Sequence, residues 1–156
     1  NVDIYATMNS QDHSLSPLDM AFRRRFEFIE CRPQPQLLGK VMANRIEIDL
    51  AKLLTALNER ISQNLAKDSQ LGHSFLWGID SLHALSAAFS QSIIPQVAQA
   101  CQHHGQILQA IFGQTFIRLI DNKKATGFMA QQAGFDIYTQ ALDDPNSYLA
   151  IYQSAQ

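Results

Sequence analysis

The pattern of hydrophobic and polar positions changes once along the chain, near residue 34. Residues 2–8 form a short apolar, partly β-branched run that ends in polar residues, which indicates a buried parallel strand. After a polar loop, Pro17 occupies a first-turn position and predicts a short helix over "LDMAFRRR". The run "FEFIEC", residues 26–31, predicts a second strand. Residues 1–34 therefore predict two strands joined by a loop and a short helix.

Beyond this point the spacing of apolar residues becomes helical. The segment "RPQPQ", residues 32–36, ends the strand pattern because neither proline can continue a ladder. We therefore predict a domain boundary between residues 34 and 35. A long apolar stripe follows at helical spacing, formed by Leu50, Leu53, Leu54, Leu57, Ile61 and Leu65.

Further helices are predicted in the second half of the chain. Ser81 is placed to cap a helix whose apolar stripe includes Leu82, Leu85, Phe89 and Ile93, and Pro95 marks where that helix ends or restarts. A short helix is predicted to stop at Gly113. "TFIRLI" fits either a strand or an extended tail, and an Asp144 cap before Pro145 predicts a last helix. The fold class is thus mostly α.

Composition and charge narrow the classes of function. The 156 residues are 46% hydrophobic and 17% charged, with a net charge of -2, so no global attraction to nucleic acid or an anionic membrane is expected. Anion binding must then be local. Cys31 and Cys101 lack metal or redox spacing and fit a reducing cytoplasm. No apolar run approaches the roughly 20 residues of a membrane span.

Polar residues follow the first predicted strand. Asn9 lies at its carboxyl end, where α/β sheets bind ligands, and an amide there could orient a water or contact a phosphate. Asp12 and Ser14 follow in the loop. The alternative interpretation is that these residues only satisfy loop backbone groups, as Asn, Asp and Ser commonly do.

Three consecutive arginines, Arg23, Arg24 and Arg25, end the predicted short helix. Cations at a helix C-terminus complement the helix dipole, which is the simplest explanation. Three adjacent side chains point in different directions, however, and cannot all serve one surface pair. Because a guanidinium offers planar, bidentate charge to a phosphate, the cluster also fits a phosphoryl-transfer site.

The stretch "TMNSQDHSLSPLDMAFRRRF" resembles the part of AAA+ nucleotide hydrolases between the sensor-1 asparagine and the arginine fingers. More narrowly, it resembles the branch that contains the modified-cytosine restriction (McrB-like) GTPases. "LNERI", "LGHSF" and "IIP" resemble the helical lid of that branch, and "NSYLAIYQ" resembles its end. The resemblance implies a C-terminal piece of an AAA+ protein, with the end of an α/β core (two strands and a short helix) at 1–34 and a helical lid with a C-terminal extension at 35–156.

The resemblance also implies roles for single residues. Asn9 would be sensor 1 at the γ-phosphate or the attacking water, and Asp12 would support its loop. Arg23 and Arg24 would be arginine fingers acting on the adjacent subunit, with Arg25 a further nucleotide-binding or structural candidate. His73 lies in the Gly-His-Ser loop, near where such lids approach nucleotide; a structural role is the alternative.

The parent protein would bind ATP or GTP with Mg²⁺, assemble into a ring and work with a nuclease or other effector subunit, contacting DNA at most indirectly and no membrane. The sequence contains no G-x-x-x-x-G-K-[ST] motif and no Asp-Glu pair after an apolar strand. We therefore expect a fragment of a longer protein that holds no cofactor and hydrolyses nothing by itself. The alternative function is a non-enzymatic helical module that binds nucleic acid or an acidic partner.

Three weaker signals are read as structural. His103 and His104 are adjacent and cannot chelate one metal together from a helix, so no metal site is predicted. Trp77 is expected to anchor the core or a loop, with an exposed platform as the alternative. Lys52 and Arg60 are expected on a solvated helix face.

Overall fold

The computed structural model describes residues 2–7, 24–120 and 134–153. The chain divides into two units, Asn1–Arg32 and Pro33–Gln156. What the two parts are, an AAA+ core end at 1–34 and a lid with extension at 35–156, stays a prediction. Within the described residues no helix is both long and apolar enough to cross a membrane.

The first unit lacks the strands that were predicted for it. Residues 2–7 and 27–31 have no regular secondary structure, and Arg24 and Arg25 lie in a turn. A strand forms only when a neighbour takes its backbone N–H and C=O groups. Neither run is a strand in the described residues, so the strand predictions are wrong for residues 2–7 and 27–31. The rest of the predicted short helix lies outside the described residues.

The second unit opens with a β-hairpin that the helical prediction missed. A short 3-10 turn, Pro35–Leu37, leads into β1, Lys40–Ala43, which pairs antiparallel with β2, Ile46–Asp49. The two turn residues, Asn44 and Arg45, have φ angles of 51° and 66°. Positive φ at both positions is the requirement of the two-residue turn that joins twisted strands.

Helix α1, Leu50–Asn64, follows directly from this hairpin. Asp49 begins it, because its side chain accepts a hydrogen bond of 3.0 Å from the backbone N–H of Lys52. The predicted apolar stripe is buried from Leu50 to Ile61. The long helix predicted from that stripe is therefore confirmed.

A nearly continuous helical run crosses the middle of the unit. Helix α2, Leu82–Ala88, is capped by Ser81, as predicted, and passes through a π-helical turn, Phe89–Ile93, into α3, Ile94–Ala100. Pro95 lies in the first turn of α3. Proline cannot donate to the helix and crowds the preceding turn, and a π turn relieves that conflict. The helix restarts at Pro95 instead of ending there.

The remaining elements complete the unit. Helix α4, Gly105–Phe112, ends at Gly113, whose φ of 88° favours glycine. Strand β3, Ile117–Ile120, pairs antiparallel with β4, Gly134–Ile137, so "TFIRLI" contains a strand. Two short helices follow, α5 at Thr139–Leu142 and α6 at Pro145–Gln153.

One hydrophobic core joins all of these elements. It extends from Val41 to Ile151. At its centre, the Phe89 ring lies 4.9 Å from the Tyr148 ring and 5.7 Å from the Phe116 ring, measured between centroids. Burial raises the pKa of the Tyr148 hydroxyl. Residues beyond 102 are therefore part of the same core as α1 to α3. Most of the elements around this core are helices, so the mostly α fold class is confirmed.

Candidate functional site

The predicted site residues fall in very different places. Asn9, Asp12 and Arg23 lie outside the described residues. Arg24 and Arg25 are exposed in the turn of the first unit. Exposed guanidinium groups can present bidentate charge to a phosphate outside their own chain. The roles of these five residues stay predictions.

His73 lies in the second unit, in what we call the lid loop, residues 66–80. It begins a short 3-10 turn, His73–Leu76, and is half-buried. Its Nδ1 atom accepts a hydrogen bond of 3.3 Å from the backbone N–H of Gln34. Its ring meets the Trp77 ring edge-on, with 5.9 Å between centroids. One ring nitrogen is therefore already engaged within the chain, which leaves Nε2 for any other ligand.

The lid loop is fixed by a buried asparagine that the sequence analysis did not single out. Asn58 is only 7% exposed. Its Nδ2 donates to the carbonyl oxygen of Leu71 at 2.9 Å, and its Oδ1 accepts from the N–H of Leu71 at 2.7 Å. The signal for it was a polar residue among the apolar positions of α1, since a buried amide must find partners. Asn58 thereby holds the loop just before His73.

A shallow groove of about 350 Å³ lies between the lid loop and residues 33–39, which we call the leading segment. The leading segment contributes Leu37, Leu38 and Gly39, and the lid loop contributes residues 76–80. Trp77 is 61% exposed here, so it is not a core anchor. An indole that is part exposed and part in contact with neighbours is typical of the exposed platform that was the alternative prediction.

Arg60 was expected on a solvated face, and that expectation is wrong. Its guanidinium group donates hydrogen bonds to the carbonyl oxygens of Ile111 and Ile151, at the ends of α4 and α6. Burial lowers the pKa of Arg60 from its ordinary value, but a guanidinium group stays charged in proteins. A cation at two helix C-termini satisfies carbonyls that lack helical partners. Arg60 thus ties α1 to both later helices.

The described residues do not provide a metal centre. Nowhere in residues 2–7, 24–120 and 134–153 do three His, Cys, Asp or Glu side chains group closely enough to hold an ion. His103 is exposed in a turn, with a φ of 60°, rather than on a helix. Burial raises the pKa of the Cys101 thiol, which disfavours the reactive thiolate form.

Comparison with known proteins relates part of the second unit to a known family. The family model described as McrB, alpha-helical lid domain, matches residues 49–102. The type IV methyl-directed restriction enzyme EcoKMcrB subunit of Escherichia coli (strain K12) is 38% identical over 85 residues, which are 48% of this chain and 18% of that protein. The matched residues 49–102 begin at the cap of α1 and run just past α3. Residues 49–102 are thus similar to the McrB-type alpha-helical lid, and the resemblance read from the sequence is confirmed for this lid.

Proposed function

We propose that this chain is the lid-bearing part of an AAA+ nucleoside-triphosphatase. The observation that carries the proposal is the match of the McrB lid family to residues 49–102, which contain helices α1 to α3 and much of the buried core of the second unit. In this proposal the second unit is the lid of a nucleotide-binding protein that uses ATP or GTP, and the first unit carries the sensor-1 and arginine-finger residues. The P-loop and the Mg²⁺ ligands come from a part of the whole protein not represented in these 156 residues.

Asn9 is the proposed sensor of the γ-phosphate. Its amide can donate to a phosphate oxygen or accept from the attacking water, and Asp12 supports the loop that carries it. An oriented water matters mainly in the transition state, because the same contact adds little to binding of the ground state. Asn9 should therefore contribute to turnover more than to affinity.

The arginine cluster is the proposed source of fingers for a neighbouring subunit. The exposure of Arg24 and Arg25 supports this role, since a finger must reach a nucleotide held by another chain. Arg23 and Arg24 are the assigned fingers and Arg25 contributes least. Action between subunits requires an oligomer, and a ring places each cluster at the next nucleotide.

The work coupled to hydrolysis is proposed from the relative. That protein is named as a subunit of a methyl-directed restriction enzyme. By analogy, the whole protein would drive a restriction system together with a nuclease or other effector subunit, and its contact with DNA would be indirect.

The test is Asn9→Ala in the whole protein. We expect turnover of ATP or GTP to fall about 10²-fold, the order lost when one preorganised hydrogen-bond donor is removed, with the nucleotide dissociation constant nearly unchanged. Steady-state hydrolysis and equilibrium nucleotide binding measure the two quantities. Asn64→Ala, which changes an exposed asparagine at the end of α1, is the matched control and should leave both unchanged. Normal turnover in Asn9→Ala would remove Asn9 from the site.

A further inference from the structure

We propose that His73 is a positioning residue: its Nδ1 atom holds the leading segment, residues 33–39, against the lid loop. The leading segment follows directly after the division between Arg32 and Pro33. The contact therefore acts on the stretch through which the chain passes into the lid. This assigns His73 a task within its own chain instead of a direct bond to nucleotide.

The leading segment is tied at both of its ends. At the first end, the Gln34 N–H donates to His73 Nδ1 across 39 residues of sequence. At the other, the Leu50 N–H at the start of α1 donates to the Gly39 carbonyl at 3.2 Å. Between them the segment forms the 3-10 turn Pro35–Leu37. The segment is short and internally bonded, so these two contacts fix its position on the lid.

Hydrogen bonds to α1 hold in place the lid loop that carries His73. Asn58 holds the backbone of Leu71, two residues earlier, from a buried position on α1. Gln70 adds a hydrogen bond of 2.8 Å from its Nε2 to Ser62 Oγ, also on α1. Helix α1 thus positions His73. The hydrogen bond from Gln34 to His73 in turn fixes the leading segment relative to α1.

The chemistry of the contact requires an acceptor at the δ position of the side chain. Nδ1 can accept from a backbone N–H only while it carries no proton, so the neutral ring must hold its proton on Nε2. The edge-on contact with Trp77 orients the ring. An asparagine carbonyl can occupy roughly the place of Nδ1, whereas the glutamine amide reaches roughly that of Nε2. His73→Asn and His73→Gln are therefore a matched pair.

The groove gives the contact a further consequence. One wall belongs to the leading segment and the other to the lid loop, and His73 joins these two segments. Loss of the contact should let the walls separate. We expect the environment of Leu37 and Trp77 to change together in any variant that lacks the acceptor.

The first test uses the 156-residue chain and does not depend on any activity. Nitrogen-15 NMR of the imidazole should show the Nε2–H tautomer in the unaltered protein; an Nδ1–H tautomer would overturn the proposal without any variant. Amide exchange of Gln34 should be about fivefold faster in His73→Phe and His73→Gln, the factor expected for one ordinary hydrogen bond. It should return toward the original rate in His73→Asn. Unchanged exchange of Gln34 in His73→Phe would also overturn it.

The second test, on the whole protein, rests on the proposed function. A positioning role predicts that His73→Phe lowers the turnover number while the nucleotide dissociation constant is kept, with recovery in His73→Asn. A raised dissociation constant with normal turnover at saturation would make His73 a nucleotide ligand and overturn the proposal. Failure of the proposed function can be distinguished from failure of this inference. If only the proposed function is wrong, Asn9→Ala leaves turnover intact, while the His73 tautomer and the Gln34 exchange rates are still as expected.

Discussion

Similar strand-like sequences adopt different structures in the two units. Residues 2–7 and β2 are both short, partly β-branched runs. In the first unit Val2 and Tyr5 are 87% and 95% exposed, whereas in the second Val41 and Ile48 are fully buried. The difference is a partner: only two turn residues separate β2 from β1, its pairing strand, while residues 2–7 have no pairing strand among the described residues. A strand-like sequence forms a strand only where another strand pairs with its backbone and other residues cover its apolar face.

In the proposed function the two units also divide chemistry from stability. The candidate phosphate-handling residues, Asn9, Asp12 and the arginine cluster, all belong to the first unit, whereas the described hydrophobic core lies within the second. Changes in the first unit should therefore alter catalysis and leave the folding free energy of the lid alone. Changes in the core of the second unit should do the reverse, whereas His73, in the lid loop, is the proposed exception. Each prediction below tests one side of that division.

The largest effect is expected from the arginines. Arg23→Ala and Arg24→Ala, made separately in the whole protein, should each reduce nucleotide turnover on the order of 10³-fold, because a finger stabilises the charge of the transition state. Arg25→Ala should change turnover least. Thermal unfolding of the lid should not change in any of the three, and calorimetry checks this.

Mixed oligomers distinguish the explanations for a lost activity. A finger variant mixed with a subunit defective in its own P-loop should recover turnover at interfaces where an intact loop faces an intact arginine. Loss without recovery would place that arginine within its own subunit. A graded, salt-sensitive loss of nucleic-acid affinity across all three variants would instead favour the non-enzymatic binding module. Normal turnover in all three would make the cluster a solvated surface.

The next effect is on stability and concerns Asn58. Asn58→Ala leaves the buried N–H and C=O groups of Leu71 without their partner, which should lower the free energy of unfolding by about 2–3 kcal/mol. Urea unfolding measures it. Asn64→Ala is the matched control on the same helix and should cost less than about 0.5 kcal/mol because Asn64 is exposed. Equal effects in the two variants would mean that the Leu71 contacts contribute nothing specific.

A smaller loss is expected at the start of α1. Asp49→Ala removes the cap on Lys52 N and should cost about 1 kcal/mol. Asp49→Asn keeps an acceptor at that position and should retain most of the stability. A loss of the same size in both variants would point to the charge of Asp49 rather than to its cap. The same urea measurement applies.

The smallest effect is predicted for removal of the first unit. Residues 33–156 alone should unfold cooperatively with a free energy within about 0.5 kcal/mol of that of the 156-residue chain, as for changes made away from the core. Circular dichroism and urea unfolding compare the two. A clearly less stable truncated chain would show that residues 1–32 contribute to the core, and the division of chemistry from stability would then fail.

A structural feature could be predicted from the sequence when the interactions that cause it lie within a few residues. The α1 stripe and the Ser81 cap act within a few residues, so their pattern was sufficient. The hairpin was missed because its turn, Asn44-Arg45, needs left-handed backbone at both positions and carries no glycine. Arginine gives no hint of that conformation, and the helical pattern beyond it dominated the interpretation.

The contacts around the lid loop could not be predicted for a different reason. Asn58 reaches Leu71 across 13 residues and His73 reaches Gln34 across 39. No periodicity encodes such pairs, because they follow from the packing of whole elements. The resemblance marked His73 as a residue of interest, yet only the folded chain shows which of its ring atoms has a partner. Asn9, Asp12 and Arg23 lie outside the described residues, so their roles rest on the sequence and its resemblance alone.

The exposure of Trp77 has a practical optical consequence. It is the single tryptophan of the sequence, so all indole fluorescence of the protein comes from the rim of the groove and none from the core. Folded and unfolded chains should therefore emit at similar wavelengths, because the indole meets water in both. The His73 ring lies edge-on to this indole. Indole emission should therefore report changes at the groove, such as loss of the His73 side chain, rather than changes in the core.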